Sequence, residues 1–172
     1  VYLVHSMNPT ARLTQAHFED LDLIMADNFA RACALAGIKH IVYLGGLIPE
    51  TTKLSRHLQR RLETERALGA HGTPVTAVRA GVILGGSGSS FRILLNVVKR
   101  LPVMVVPQWT RSLPQPVALR DAVRTISQAL RSTPEPGKTR VLYIGGPDVL
   151  SYQELMRRTA KAMGRTLRIL TV

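Results

Sequence analysis

His57 and Arg61 are a pair of side chains whose types and spacing could do chemistry together. The apolar spacing around them predicts a helix that begins after Ser55, and residues four apart share one face of a helix. A histidine titrates near neutral pH and could act as an acid or base. An arginine stays charged and can hold an anion without giving up a proton. The pair is therefore either a proton-transfer group with an anion anchor, or two ordinary exposed helix residues.

The sequence lacks the motifs of several common sites. It has no zinc-type cluster, no G-x-S-x-G elbow, no P-loop and no G-x-G-x-x-G. Its single cysteine, Cys33, lies among alanines in a predicted helix and has no partner for an internal disulfide. We therefore predict no metal site and no phosphate cradle in this segment. A buried thiol fits a reducing compartment, so we expect a cytoplasmic protein.

The segment K-H-I-V-Y-L-G-G at 39–46 predicts where a ligand would bind. A short continuous apolar run with β-branched members is typical of a strand covered on both faces. The chain is expected to turn at Gly45 and Gly46, directly after this strand. Ligands of open α/β sheets bind beyond the carboxyl ends of the strands. Gly45 and Gly46 are therefore predicted to line a binding cleft.

Apolar periodicity and turn residues predict strands alternating with helices over most of the chain. Strands are predicted at 1–4, 41–44, 75–84, 116–119 and 141–144, an irregular or edge strand at 101–109, and helices at 18–36, 55–72, 91–100, 121–130 and 151–163. In the fourth helix we expect Ala122, Val123, Ile126 and Leu130 to face inward. Right-handed crossovers then give a parallel sheet with helices on both faces.

The net charge of the chain indicates which kinds of partner it could bind. The 172 residues carry 23 basic and 11 acidic side chains, a formal net charge of +12. Such a balance suits nucleic acid or a solvated basic surface around an anionic ligand. We favour the second and predict no specific nucleic acid, because the basic residues are scattered and few aromatic residues accompany them. No apolar run is long enough to span a membrane, so no membrane partner is expected.

Both ends of the chain lie inside apolar runs, 1–4 and 167–172. We expect strands to precede residue 1 in the complete protein. A sheet without them would have an open edge, which favours association into a homo-oligomer.

Five segments, taken in order, carry a family resemblance. They are D-N-F at 27–29, A-G-I-K-H-I-V-Y-L-G-G at 36–46, P-V-T-A-V-R-A-G-V-I-L-G at 74–85, V-A-L-R-D at 117–121 and Y-I-G-G-P-D-V-L-S-Y-Q-E-L-M at 143–156. Their order and spacing resemble extended and atypical short-chain dehydrogenase/reductases. The chain looks most like the NmrA-like, YbjT-like NAD(P)-binding branch, which is also similar to the NADPH-binding accessory subunit of respiratory complex I.

The resemblance implies an α/β doubly wound, parallel Rossmann-like sheet that is N-terminally truncated and carries a small substrate-binding subdomain. Residues 1–85 would be the nucleotide-binding part and 86–172 the smaller substrate-binding region, with 121–144 returning to the main sheet. The implied cofactor is NADP or NAD. By the match of segments it would be bound by His5, Ser6, Met7, Gly45, Gly46, Ala80, Gly81 and Ile83, and Asn28 would join the active-site network.

Two departures from the family pattern leave the activity open. Gly45 and Gly46 stand where the family has a serine, and His57 and Arg61 best match its Tyr-x-x-x-Lys pair. One resulting hypothesis is an NAD(P)-dependent oxidoreductase or epimerase acting on an unknown small molecule. The other is a non-catalytic dinucleotide-binding sensor, regulator or assembly factor. Arg79 would pair with a buried acid or bind a ligand, and Trp109 would pack or form a substrate platform.

Overall fold

The structure, a computed structural model, describes residues 1–4, 15–49, 54–86 and 88–172, without the side chains of 15–20, 89 and 90. Its elements, in order, are α1 (Gln15–Leu35), β1 (Ile41–Gly46), α2 (Arg56–Gly69), β2 (Val75–Ala80), β3 (Ile83–Leu84), α3 (Ser89–Arg100), β4 (Val103–Val106), a 3-10 helix (Gln108–Arg111), β5 (Val117–Ala118), α4 (Leu119–Leu130), β6 (Thr139–Ile144), α5 (Tyr152–Ala162) and β7 (Arg168–Thr171). None of the described helices combines the length and apolar composition needed to cross a membrane.

The chain divides into two compact units. The first contains Val1–Ala80 and Val123–Ile144, and the second contains Gly81–Ala122 and Gly145–Val172. The division into a nucleotide-binding part at 1–85 and a substrate-binding part at 86–172 concerns the roles of these regions and stays a prediction.

The first unit is built on a parallel sheet with the strand order β1-β2-β6. Tyr2 continues the order beyond β1 through a parallel bridge to Tyr43. Its backbone N–H donates to the Val42 carbonyl over 2.8 Å. The predicted strand at 1–4 is thus represented by this one bridge beside β1.

Both faces of this sheet are buried, as the apolar strands predicted. One face forms a core with α1 and α2, containing Tyr2, Ala26, Cys33, Ile41, Tyr43, Leu68, Val75 and Ala77. The other packs Val42, Val78, Leu44, Leu142 and Ile144 against Ala129 and Ile126 of α4. Burying one such aliphatic side chain contributes about 1.5–3 kcal/mol. The predicted parallel sheet with helices on both faces is confirmed.

Three local predictions were wrong. Gly45 and Gly46 do not turn but complete β1, paired with Arg79 and Ala80. The predicted strand 75–84 is two strands, because β2 ends at Ala80 and β3 pairs with β5 in another sheet. Within α4, which begins at Leu119, Val123 and Leu130 are 53% and 47% exposed. Ala122 and Ala129 are the buried positions there, since packing selected a face rotated from the most apolar one.

The second unit contains two short parallel pairs, β3–β5 and β4–β7. A buried polar cluster ties α5 to two other elements. The Gln153 amide donates to Thr110 Oγ1 over 3.0 Å and to Thr171 Oγ1 over 2.9 Å. Next to Thr110, Trp109 is 63% exposed, and its ring meets the Tyr152 ring edge-on with 5.7 Å between the ring centres.

A half-buried histidine in the first unit is expected to make stability depend on pH. His40 Nε2 lies 2.8 Å from Thr76 Oγ1, which also accepts a 3.0 Å bond from Arg140. Burial lowers the pKa of His40 below its ordinary value of 6.5, and the Arg140 charge adds to this. The unfolded chain therefore takes up a proton first as the pH falls below about 6.5, and folding stability is lost from there down to the lowered folded pKa.

We expect His40→Gln to remove this acid sensitivity, because glutamine can still bond to Thr76 but does not titrate. Urea unfolding of both proteins at pH 7.5 and pH 5.0 measures it. The wild type should lose more stability than the variant between the two pH values. Equal losses would show that His40 does not carry the effect.

Candidate functional site

The carboxyl edge of the first unit's sheet is the candidate site. There the register aligns Gly45 with Arg79 and Tyr143, and the next row aligns Gly46 with Ala80 and Ile144. This is the edge at which open parallel α/β sheets bind ligands. Chemistry at this edge depends on the side chains that β1, β2, β6 and α2 bring to it.

The two glycines of β1 have different surroundings. A Cβ placed on Gly45 would lie 3.1 Å from Tyr43 Cε1, so the tyrosine ring already fills that space. A Cβ on Gly46 would lie 3.4 Å from Arg61 Cδ, which is close to ordinary contact. Gly46 therefore leaves a side-chain-free surface beside Arg61, where a ligand could approach the backbone.

The start of α2 positions the predicted histidine–arginine pair. Ser55 caps the helix, and its Oγ accepts a 3.4 Å bond from the Leu58 N–H. His57 is exposed in the first turn and Arg61 follows one turn later. Arg61 Nε donates to His57 Nε2 over 3.1 Å. The spacing thus places the two side chains together, as predicted.

This hydrogen bond restricts what His57 can do. An Nε2 atom that accepts a bond from Arg61 carries no proton, so the imidazole is neutral with its hydrogen on Nδ1. A protonated imidazole has donors at both nitrogens and could not accept this bond. Proton donation from Nε2 of His57 therefore requires the Arg61 side chain to move away.

A small cavity of about 40 Å³ adjoins the pair. It is lined by Leu3, Val4, Asp22, Tyr43, Leu44, His57, Arg60, Arg61 and Thr64. Burial raises the pKa of the Tyr43 hydroxyl, while the charge of Arg61 and a hydrogen bond from it act in the opposite direction. Because the net change is upward, Tyr43 keeps its proton at neutral pH.

Arg79 anchors the centre of the edge. Its Nε and Nη2 donate to the two carboxylate oxygens of Glu65 on α2, over 3.1 Å and 2.9 Å. The side chains of Arg79 and Glu65 are only 11% and 7% exposed. Burial by itself lowers the pKa of Arg79, but the hydrogen bonds and charge of Glu65 outweigh it and raise the pKa. Of the two predicted roles for Arg79, the structure shows pairing with a buried acid.

Tyr143 is a residue of this edge that sequence reasoning missed. Its hydroxyl accepts a 2.8 Å bond from Arg79 Nη1, and the guanidinium lies 5.5 Å from the ring centre. A signal for it was present, because I-V-Y-L-G-G at 41–46 and V-L-Y-I-G-G at 141–146 share one pattern. Register places Tyr43 and Tyr143 two rows apart on the same face of the sheet.

The remaining predicted site residues lie on several different elements. Asn28 is exposed on α1, where its Oδ1 accepts a 3.2 Å bond from Arg31. Ala80 is buried at the end of β2, and Ile83 lies in β3. Gly81 lies against the backbone of Gln115 within the second unit. His5, Ser6 and Met7 lie outside the described residues.

Comparison with known sequences gives one partial relative. Over 75 residues the chain is 39% identical to the auxiliary protein GraX of Staphylococcus aureus (strain NCTC 8325 / PS 47), a match that covers 44% of this chain and 21% of GraX. No protein-family model matches the chain.

Solved structures match over nearly the whole chain. MoeE5 in complex with UDP-glucose and NAD superposes with a TM-score of 0.72 at 17% identity, over 91% of this chain and 59% of MoeE5. UDP-N-acetylglucosamine 4-epimerase from Bacillus cereus gives 0.71 at 16% identity, over 94% and 63% of the two chains. The dTDP-4-dehydrorhamnose reductase of Bacillus anthracis str. Ames, solved with NADP, gives 0.71 at 17% identity, over 90% and 59%.

The chain therefore spans about three fifths of the length of these structures and a fifth of GraX. The three structural neighbours include two that were solved with NAD or NADP bound. At these identities the likeness concerns the fold. The chain has the Rossmann-like α/β fold of these proteins, as the sequence predicted.

Proposed function

We propose that this chain is part of an NAD(P)-dependent oxidoreductase or epimerase of the short-chain dehydrogenase/reductase type, in its NmrA-like branch. The supporting observation is the fold match over about nine tenths of the chain to proteins solved with NAD or NADP. In this proposal the dinucleotide, NADP or NAD, contacts Gly45, Gly46 and Ala80 at the carboxyl edge of β1 and β2. The predicted cofactor residues Gly81 and Ile83 follow directly in the chain.

The residues present suit such a ligand. Gly46 exposes backbone beside a guanidinium, and an arginine can hold a phosphate or another anionic group. When bound, a nicotinamide supplies or accepts a hydride. The chain itself must then orient a small-molecule substrate and move a proton at its oxygen. The proton-transfer role that the sequence assigns to His57 would require Arg61 to release Nε2, whereas the Arg61 guanidinium can hold an anionic group of the ligand where it stands.

A second function, dinucleotide binding without turnover, has its own support. His57 Nε2 is occupied by Arg61, and glycines stand at the positions of the family's serine. The partial relative is named as an auxiliary protein. A regulator or assembly factor would bind the cofactor at the same edge, so turnover separates the two functions.

The test is the variant Gly46→Val in the full-length protein. We expect it to weaken NADPH and NADH binding by at least about tenfold, or about 1.4 kcal/mol, because the new side chain covers the ligand surface. The fold should tolerate it, since a Cβ there meets Arg61 Cδ at 3.4 Å and valine favours strands. Nicotinamide fluorescence measures affinity and thermal unfolding measures stability.

Gly86→Val is the matched control, because no heavy atom lies within 4 Å of a Cβ at Gly86. It should bind both cofactors like the wild type. Wild-type protein that binds neither NADPH nor NADH would refute the proposed function. Normal binding by Gly46→Val would instead refute only the position of the cleft.

A further inference from the structure

Two tyrosines bring phenol groups to the carboxyl edge of β1-β2-β6, and they differ in access. Tyr43 is 4% exposed and belongs to the core between the sheet and the helices α1 and α2. Tyr143 is 61% exposed, although it follows the same sequence pattern on the same face of the sheet. Only Tyr143 of this pair can meet a ligand without rearrangement of the core.

The hydrogen bond to Tyr143 leaves its proton available. Arg79 Nη1 donates to the phenol oxygen over 2.8 Å, so the oxygen is the acceptor in this contact and its own hydrogen can go to another group. Arg79 is itself fixed by two bonds to Glu65. This arrangement contrasts with His57, whose Nε2 accepts from Arg61.

We infer that Tyr143 is the proton donor to the substrate oxygen, with Arg79 as the residue that positions it and Glu65 as the anchor of Arg79. The inference rests on the proposed oxidoreductase function and names a catalytic residue that the family pattern does not supply. It also explains how the site could work while His57 stays paired with Arg61.

In the reducing direction the step balances. The Tyr143 O–H bond breaks and its proton goes to the carbonyl oxygen, as the carbonyl carbon accepts the hydride that reduced nicotinamide supplies. The carbonyl gains two electrons and becomes an alcohol, and the nicotinamide is oxidised. The phenolate that remains faces the Arg79 guanidinium, which stabilises it electrostatically. Solvent then returns a proton, which the exposure of Tyr143 permits.

The first experiment compares Tyr143→Phe, His57→Phe and the control Tyr152→Phe in the full-length protein. The probes are NADPH with 4-nitrobenzaldehyde and with 9,10-phenanthrenequinone, and the absorbance of NADPH reports turnover. We expect Tyr143→Phe to lose about a hundredfold or more in turnover, the scale of a positioned acid. Its NADPH affinity should be unchanged, and Tyr152→Phe should keep wild-type turnover.

The second experiment does not depend on turnover. Tetranitromethane nitrates accessible phenols, and peptide mass analysis locates the product. With NADP⁺ present, 4-nitrobenzyl alcohol should protect Tyr143 from nitration, because its oxygen would occupy the phenol's free hydrogen-bonding direction. Nitration of Tyr152 should not change.

The outcomes of these experiments distinguish a failure of the Tyr143 inference from a failure of the proposed oxidoreductase function. A wild-type protein that turns over the probes while Tyr143→Phe stays within about threefold of it would overturn the role of Tyr143 alone, since a positioned acid contributes far more. In that case a large loss in His57→Phe would return the role to His57. Protein that binds NADPH but consumes none, with Tyr143 unprotected, would overturn both the oxidoreductase and the inference.

Discussion

Glu65→Ala should destabilise the first unit by about 3–5 kcal/mol, the cost of removing one partner from a buried ion pair. The Glu65 side chain is 7% exposed and its carboxylate accepts two hydrogen bonds from Arg79, whose side chain is 11% exposed. Its removal leaves a guanidinium in the interior whose remaining hydrogen bond, among the residues that the structure describes, goes to Tyr143. Urea unfolding followed by circular dichroism measures the loss as a lower transition midpoint.

Glu63→Ala is the matched control on the same helix. Its carboxylate pairs with Arg60 over 2.9 Å, but the two side chains are 42% and 34% exposed, so the pair should contribute about 0–1 kcal/mol. If Glu65→Ala does not fold, Glu65→Gln keeps the side-chain shape and tests the loss of charge alone. The double variant Glu65→Leu, Arg79→Met should recover much of the stability, since apolar replacement removes the unpaired charge. A loss below about 1 kcal/mol in Glu65→Ala would show that the pair is solvated.

The ion pair also illustrates how far sequence reasoning could go. An arginine inside an apolar strand indicates a buried partner or a ligand, and Arg79 was identified on that basis. The partner could not be chosen, because Glu63 and Glu65 look equivalent in the sequence of α2. Only the packing of α2 on β2 turns Glu65 toward the sheet and Glu63 toward solvent.

The strands and the site likewise include features that the sequence could predict and features that it could not. Strands β1, β2 and β6 were predictable because continuous apolar runs are needed where both faces of a sheet are covered. The proximity of His57 and Arg61 follows from helix geometry, but the bond that occupies Nε2 depends on rotamers that spacing does not determine. Tyr143 was missed because a tyrosine in a strand resembles ordinary core packing until its exposure and its bond to Arg79 are known.

Gly81 shows a different limit, one that arises from contacts distant in sequence. The family resemblance assigned Gly81 to cofactor binding, and the apolar pattern ran a strand through it. In the structure a Cβ at Gly81 would lie 1.8 Å from the carbonyl oxygen of Gln115. The segment after Gln115 is hydrogen-bonded to two neighbouring segments. The Val117 N–H donates to Val82 O over 2.9 Å, and the Gly146 N–H donates to Pro116 O over 2.8 Å. No local pattern in the sequence predicts this close approach of the backbone at Gln115 to Gly81.

Gly81→Ala should therefore destabilise the second unit by about 3 kcal/mol, the upper range for forcing extra atoms into a packed site. The backbone at Gln115 would have to move by more than 1 Å, since real Cβ contacts stay beyond 3.0 Å. That movement strains the two flanking hydrogen bonds, each of which is worth about 1 kcal/mol. Thermal unfolding should show the loss without any cofactor present, and Gly86→Ala should melt like the wild type because its surroundings are open.

If Gly81→Ala instead melts normally and loses NADPH binding, the glycine serves the cofactor, as the resemblance implied. If it melts early and the folded fraction still binds NADPH, the glycine is there because the chain at Gln115 passes too close for any side chain.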